Sequence, residues 1–187
     1  MKLKTFKVFP PFFAFVLDNP LRTLIENPEK QVEFMGVEYG MKVLELGPAR
    51  GFMTQFLSKK VDKKGFVISI DVQEKMIAKA LRKRGYLSNV SFKVEDAADL
   101  RSIKDGEIDL IFLYYVFHEI QHKENAVKEF YRVLKKGGIL SIKEPKLEVF
   151  KKDLETYKEL MIKNSFRNIE VEKKGDLFGR FLKFIKD

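Results

Sequence analysis

Five short apolar runs, each separated from the next by a longer amphipathic stretch, constrain the fold of this chain most. They read "KVLEL" (42 to 46), "FVISID" (66 to 71), "VSFKV" (90 to 94), "IDLIFLYYV" (108 to 116) and "GILSIKE" (138 to 144). Runs of this length, rich in Val, Ile, Leu and aromatic residues, form buried strands. The stretches between them predict helices at 51 to 60, 73 to 85 and 123 to 135. Strands that alternate with helices are joined by crossovers, so the sheet is parallel and helices cover both of its faces. After Pro145 the pattern predicts a further helix at 151 to 164 and two closing strands, "NIEVEKK" and "FGRFLKFIK". The segment before Met41 reads as irregular chain followed by a helix at about 20 to 36. The expectation is an α/β fold with a seven-stranded, mostly parallel sheet, helices on both faces and a short N-terminal helical extension.

A chain of 187 residues, 45% of them apolar, suffices for one sizeable core and falls short of two ordinary domains. A single domain over 1–187 is expected, with 1–40 as an extension that closes over a core at 41–187. There is no Cys, which excludes disulfides, thiolate metal sites and a cysteine nucleophile. The apolar stretch "VFPPFFAFVLDNP" is broken by Pro10 and Pro11 and is too short to cross a bilayer, and no signal-type cleavage site follows it. A cytoplasmic protein without membrane insertion is therefore expected. The rings of that stretch, with Phe6 before it, suggest an apolar cover over the functional pocket or, equally, a filler for the edge of the core. The net charge of +9 is spread along the chain and interleaved with Asp and Glu, the pattern of a solvated surface rather than of a nucleic-acid footprint.

The most informative stretch is "VLELGPARGFMTQFL", which runs from a buried strand through Gly47 and Gly51 into a helix. Glycine serves where a side chain would block a ligand or where φ must be positive, and the helix N-terminus beyond offers unpaired N–H groups. A dinucleotide fingerprint would read GxGxxG, but its second and third glycine positions hold Ala49 and Phe52, which disfavours that ligand. The second strand ends in Asp71, where an open α/β sheet presents an acceptor for ribose hydroxyls. The third is followed by "EDAADL", in which Asp96 can accept from an adenine amino group while Ala97 offers its N–H. Singly, Asp71 could be a helix cap and Asp96 a turn cap. Together and in this order they ask for an adenosine.

In order and spacing, "VLELGPARG", "ISIDV", "EDAADL", "IDLIFLYYVFHEI" and "RVLKKGGILSIKE" resemble the successive motifs of class I S-adenosylmethionine-dependent methyltransferases. The resemblance covers about residues 41 to 187 and implies a Rossmann-like sheet. It implies S-adenosyl-L-methionine as cofactor, S-adenosyl-L-homocysteine as its product and no metal. The family's turn reads GxGxG after an acidic residue. Glu45, Gly47 and Gly51 match, while Ala49 stands for the middle glycine and is compatible if its φ is negative. By the same resemblance Asp71 and the adjoining Val72 take the ribose, Asp96 and Ala97 the adenine, and the strand end from Leu113 to Tyr115 borders the methionine part and the transferred methyl.

Both histidines lie in "HEIQH" (118 to 122), the spacing of a zinc peptidase helix. That reading needs both rings on one helix face and a third ligand, for which Glu144 is in range, yet it leaves the sheet around it unexplained. Inside the methyltransferase reading, His118 sits near the reaction centre and is the candidate base if the acceptor must lose a proton. Tyr114 or Tyr115 would orient the acceptor. His122 is expected to be solvated at a helix start. Displacement at a sulfonium draws on alignment and water exclusion, so a base is not obligatory. The amino-methylating signature [DNS]PP[FYW] is absent, and the lack of Cys rules out cysteine-dependent acceptor chemistry. A small-molecule acceptor comes first, with RNA or protein behind it. A non-catalytic adenosine-binding module and a zinc hydrolase are the rival classes.

Overall fold

The computed structural model describes residues 27–169, 176 and 178–187. The helix expected at 20 to 36 is described from α1 (Pro28–Phe34), where the Asn27 side chain accepts from the Lys30 N–H and Pro28 takes the first turn. The expected apolar cover lies outside the described residues. The core then runs β1 (Lys42–Leu46), α2 (Thr54–Val61), β2 (Phe66–Asp71), α3 (Glu74–Arg84), β3 (Val90–Val94), β4 (Ile108–Tyr114), α4 (Lys123–Val133), β5 (Leu134–Pro145), α5 (Lys151–Lys163), β6 (Phe166–Ile169) and β7 (Gly179–Lys186). The sheet order is β3-β2-β1-β4-β5-β7-β6, parallel from β3 to β5, with β7 antiparallel to both of its neighbours.

Alternation along the central strands sorts the core into two layers. Val43, Leu110 and Phe112 join Val32 and Met35, beside and within α1, and Leu57 and Val61 of α2 on one face. Leu44, Leu113, Leu140 and Ile142 pack on the other with Phe130 of α4 and Leu160 of α5. β1 and β4 are buried almost throughout because both faces are covered, whereas β3, at the edge, is only half-buried.

Several element ends differ from expectation. β4 stops at Tyr114, not Val116, because Tyr115 has φ +62 and turns the chain out of the strand. α4 gives way at Leu134, whose extended backbone pairs with Ile108; Ile139 then pairs with Leu110, so "KKGG" forms an irregular opening to β5. β6 begins at Phe166, two residues before the predicted start, and residues 170 to 174 of the predicted run lie outside the described residues.

Candidate active site

A cleft of about 340 Å³ opens along the carboxyl ends of β1, β2 and β4, where the strand order reverses between β1 and β4. Open α/β sheets bind ligands at this switch point, because the two flanking crossovers leave in opposite directions. Glu45, Gly47, Ala49, Asp71, Val72, Asp96, Ala97, Tyr114 and His118 all line it. Two expected cofactor residues do not. Leu113 is fully buried in the core, because side chains alternate along β4 and the cleft takes Tyr114 and Tyr115 instead. Gly51 faces Arg84, whose Nε donates to its carbonyl at 3.1 Å; a Cβ there would sit 2.6 Å from Arg84 Cγ.

The turn from β1 into α2 is left-handed at every second residue: φ is +66 at Gly47, +52 at Ala49 and +76 at Gly51. The condition of a negative φ, under which alanine would fit the family's turn without strain, is therefore not met at Ala49. Three alternating left-handed residues fold the chain back on itself, and the middle one keeps that shape with a methyl group, at a cost of about 1–2 kcal/mol. At Gly47 no side chain is tolerated, since a Cβ would meet Val116 Cγ2 at 2.6 Å. Tyr115, at the end of the neighbouring β4, is also left-handed, so two strained non-glycine residues meet the same cleft.

Six carboxylates stand along the wall among apolar side chains. Glu45 is buried and its Oε2 accepts from Thr54 Oγ1 and Ser69 Oγ, both at 2.6 Å, tying β1 to β2 and α2. Burial pushes its pKa up to about 7 against those hydrogen bonds. Asp71 takes the Gln73 N–H on Oδ1 at 2.8 Å, and burial raises its pKa to about 6 despite that bond. Asp96 Oδ1 holds the Ala98 N–H at 2.8 Å, which shapes the turn below the cleft. Glu95, for which the sequence motifs imply no role, lines the cleft with a buried Oε2 that has no partner among the described residues. A buried acceptor of this kind fits a donor on a ligand. Glu119 and Glu148 add two more acids. An adenosine with a cationic sulfonium and ammonium suits such a wall in sign and in hydrogen-bonding character.

His118 and His122 do not share a helix face. Phe117–Glu119 form one turn of 3₁₀ helix, Ile120 is extended, and His122 is exposed at the start of α4, as expected of it. His118 is 3% exposed. Its Nδ1 lies 2.5 Å from Oε2 of Glu144, which is fully buried on β5, while the other carboxylate oxygen accepts from the Phe117 N–H at 2.9 Å. Nε2 lies 3.5 Å from Glu148 Oε2 and 3.9 Å from Glu119 Oε1. Burial lowers the imidazole pKa, but the Glu144 hydrogen bond and charge, with help from Glu119 and Glu148, outweigh it and raise the net value. Lys123 is buried too, and its Nζ donates to the carbonyls of His118 at 2.9 Å and Ile120 at 2.5 Å. Burial lowers its pKa to about 8, opposed by Glu144. Sequence spacing singles out no role for Lys123 and offers Glu144 beside His118 only as a zinc ligand, not as its hydrogen-bond partner. The available signal was "KEP", two adjacent charges closing an otherwise apolar central strand.

The family described as "Methyltransferase domain" matches residues 38–184. The ubiquinone/menaquinone biosynthesis C-methyltransferase UbiE of Shewanella oneidensis is 34% identical over 132 residues, 67% of this chain and 52% of that protein. Its counterpart in Yersinia pestis strain Pestoides F is 33% identical with the same coverage. The chain spans about half the length of these curated relatives. Among solved structures, a SAM dependent methyltransferase from Aquifex aeolicus superimposes with a TM-score of 0.84 at 28% identity, covering 95% of this chain and 99% of that one. The [4+2]-cyclase SpnF, at 18% identity and a TM-score of 0.70, covering 86% and 80%, shares the fold alone. With its glycine turn, strand-tip acids and matching sheet, the chain belongs to the methyltransferase-domain family and has the fold of its class I S-adenosylmethionine-dependent members.

Proposed function

We propose that the chain methylates a carbon atom of a small acceptor bearing an acidic O–H group, with His118 as the base. The observation that carries this reading is the buried His118–Glu144 pair beside a cleft floored by Tyr114 and Tyr115. The relatives' name, C-methyltransferase, supports carbon as the nucleophile. A carbon attacks a methyl group well only when electron density is pushed onto it, and ionising a conjugated O–H does this. A polyanionic acceptor such as RNA fits less well, since Asp71, Glu95, Asp96, Glu119 and Glu148 all line the cleft.

S-adenosylmethionine supplies the methyl on a sulfonium whose leaving group is already activated. Asp71, with Val72 beside it, would hold the ribose; Asp96, the Ala97 N–H and Glu95 the adenine edge; Gly47 and Ala49 the backbone approach to the methionine part. Glu45 would act mainly by fixing β1 against α2. Glu144 accepts from Nδ1–H, which leaves Nε2 as the basic nitrogen toward the cleft. Nε2 would take the acceptor's hydroxyl proton, and the electron pair left behind conjugates onto the carbon that is methylated. Tyr114 and Tyr115, whose ring centroids lie 4.6 Å apart, would hold a planar acceptor in line.

The test is incubation with methyl-labelled S-adenosylmethionine and a panel of phenols, quinols and enols, following S-adenosylhomocysteine release and locating the label by NMR. Label on carbon, lost in His118→Asn, is the expected result. Label on oxygen or nitrogen only, or full turnover by His118→Asn, would reject the reading.

A further inference from the structure

Lys143 is wholly buried, and the mechanism above makes no use of it. It stands on β5 in register with Tyr114 on β4, so both side chains rise from the same face of the sheet. Its Nζ lies 3.1 Å from Asp176 Oδ2 and 3.2 Å from the Tyr114 hydroxyl oxygen. The rings of Tyr114, Tyr115 and Phe181 surround it at 4.9, 5.1 and 5.2 Å. Its stem passes over Gly179, where a Cβ would fall 2.0 Å from Lys143 Cε, so β7 can begin only with a glycine there. Asp176 is fixed in turn: its Oδ1 accepts from the N–H groups of Gly179 at 2.7 Å and Phe178 at 3.1 Å. Burial raises the Asp176 pKa, but those bonds and Lys143 outweigh it and bring the net value down.

An ammonium at this depth costs several kcal/mol of lost hydration, and an apolar side chain would fill the space without that cost. The carboxylate and three rings built around it indicate a use for the charge. An ammonium has three donors and no acceptor, so toward Tyr114 it can only donate. The tyrosine oxygen therefore accepts from Lys143, its own O–H is turned away from the ammonium, and Tyr114 lines the cleft.

We propose that the Lys143–Asp176 pair positions and polarises Tyr114 so that its O–H donates to an oxygen anion on the methyl acceptor, which makes the acceptor a phenol, enol or 1,3-dicarbonyl compound bound as its oxyanion. The inference rests on the reading of the reaction as carbon methylation after proton removal. In it the proton leaves the acceptor's O–H for His118, the electron pair stays on oxygen, and that oxygen accepts from Tyr114. Tyr114 is the residue that touches the acceptor; Lys143 and Asp176 act through it.

The probe is 4-nitrophenol, titrated into the protein saturated with S-adenosylhomocysteine at a mildly acid pH where the free phenol is largely neutral. Phenolate absorbance reports the bound form directly and needs no turnover. Wild type is expected to bind the probe as phenolate, and Tyr114→Phe and Lys143→Met each to lose about five- to tenfold of that binding, since one charge-assisted hydrogen bond is removed. Affinity for S-adenosylhomocysteine should stay within about twofold in both. If Lys143→Met alone fails to fold, Lys143→Met/Asp176→Asn removes both charges together and carries the same expectation. A probe bound in neutral form, or phenolate bound as well by Tyr114→Phe or by the charge-free variant as by wild type, overturns the proposal. His118→Asn separates the two readings: phenolate binding retained without transfer supports both. Full transfer by that variant rejects the base while the oxyanion site stands.

Discussion

Glu144 Oε2 lies 2.5 Å from His118 Nδ1 with both side chains shut away from solvent, and the same carboxylate takes the Phe117 N–H. One buried carboxylate thus holds both the ring and the path of the chain that carries it. Glu144→Gln removes the strongest influence raising the imidazole pKa and leaves burial, which lowers it, opposed only by the charges of Glu119 and Glu148. Turnover should fall by about 10–100-fold, and the histidine titration followed by NMR should move to lower pH. In the wild type the raised value means that the folded state holds the proton more tightly. The stability this contributes is fully present below pH 6.5 and is lost as pH rises through the folded value. Denaturation across that window should show the fall in wild type and a smaller one in Glu144→Gln.

Asp71 offers a second pH handle. Its carboxyl, raised to about 6 by burial, is charged at neutral pH and neutral in acid. Affinity for S-adenosylhomocysteine, measured by calorimetry, should therefore weaken as pH falls through about 6. Asp71→Ala should cost about 2–3 kcal/mol at neutral pH and abolish that pH dependence. Unchanged affinity in the variant would remove Asp71 from the ribose site.

Ala49 holds a backbone conformation that glycine adopts without strain. Ala49→Gly should stabilise the fold by about 1 kcal/mol, the relief of the left-handed methyl exceeding the extra freedom of the unfolded chain. For a chain of this size that is a rise in Tm of about 2–4 °C by calorimetric scan. Cofactor affinity should hold or improve.

The spacing of His118 and His122 invites a metal assay. One ring is buried against Glu144 and the other is exposed beyond an extended residue, so they lack the shared helix face on which a zinc peptidase presents its two histidines. Elemental analysis should find far less than one zinc per chain, and a chelator should leave methyl transfer intact. Stoichiometric zinc lost in both His118→Ala and His122→Ala would reverse this reading.

The strands β1, β2 and β3 were legible to the residue, because short runs of β-branched and apolar residues bounded by turn residues are written in local composition, and the local pattern is what drives those segments to extend. The glycine turn and the acids at the tips of β2 and β3 were legible for the same reason: each is a short motif whose place on a strand end follows from the strand itself. What the sequence could not say was which side chains meet. Leu113 and Tyr114 are neighbours in the chain, yet one is core and the other lines the cleft, because a strand sends successive residues to opposite faces and only the assembled sheet fixes which face is which. Glu144 reaches His118 across 26 positions, and Lys143 reaches Asp176 and Tyr114, because β5 lies between β4 and β7 in the sheet. The local sequence determined most of the elements, the glycine turn and the family resemblance. Strand order and packing alone decided the buried ion pairs, since a charge is stabilised by whatever the fold brings within a few ångströms of it, and that distance is not encoded in spacing along the chain.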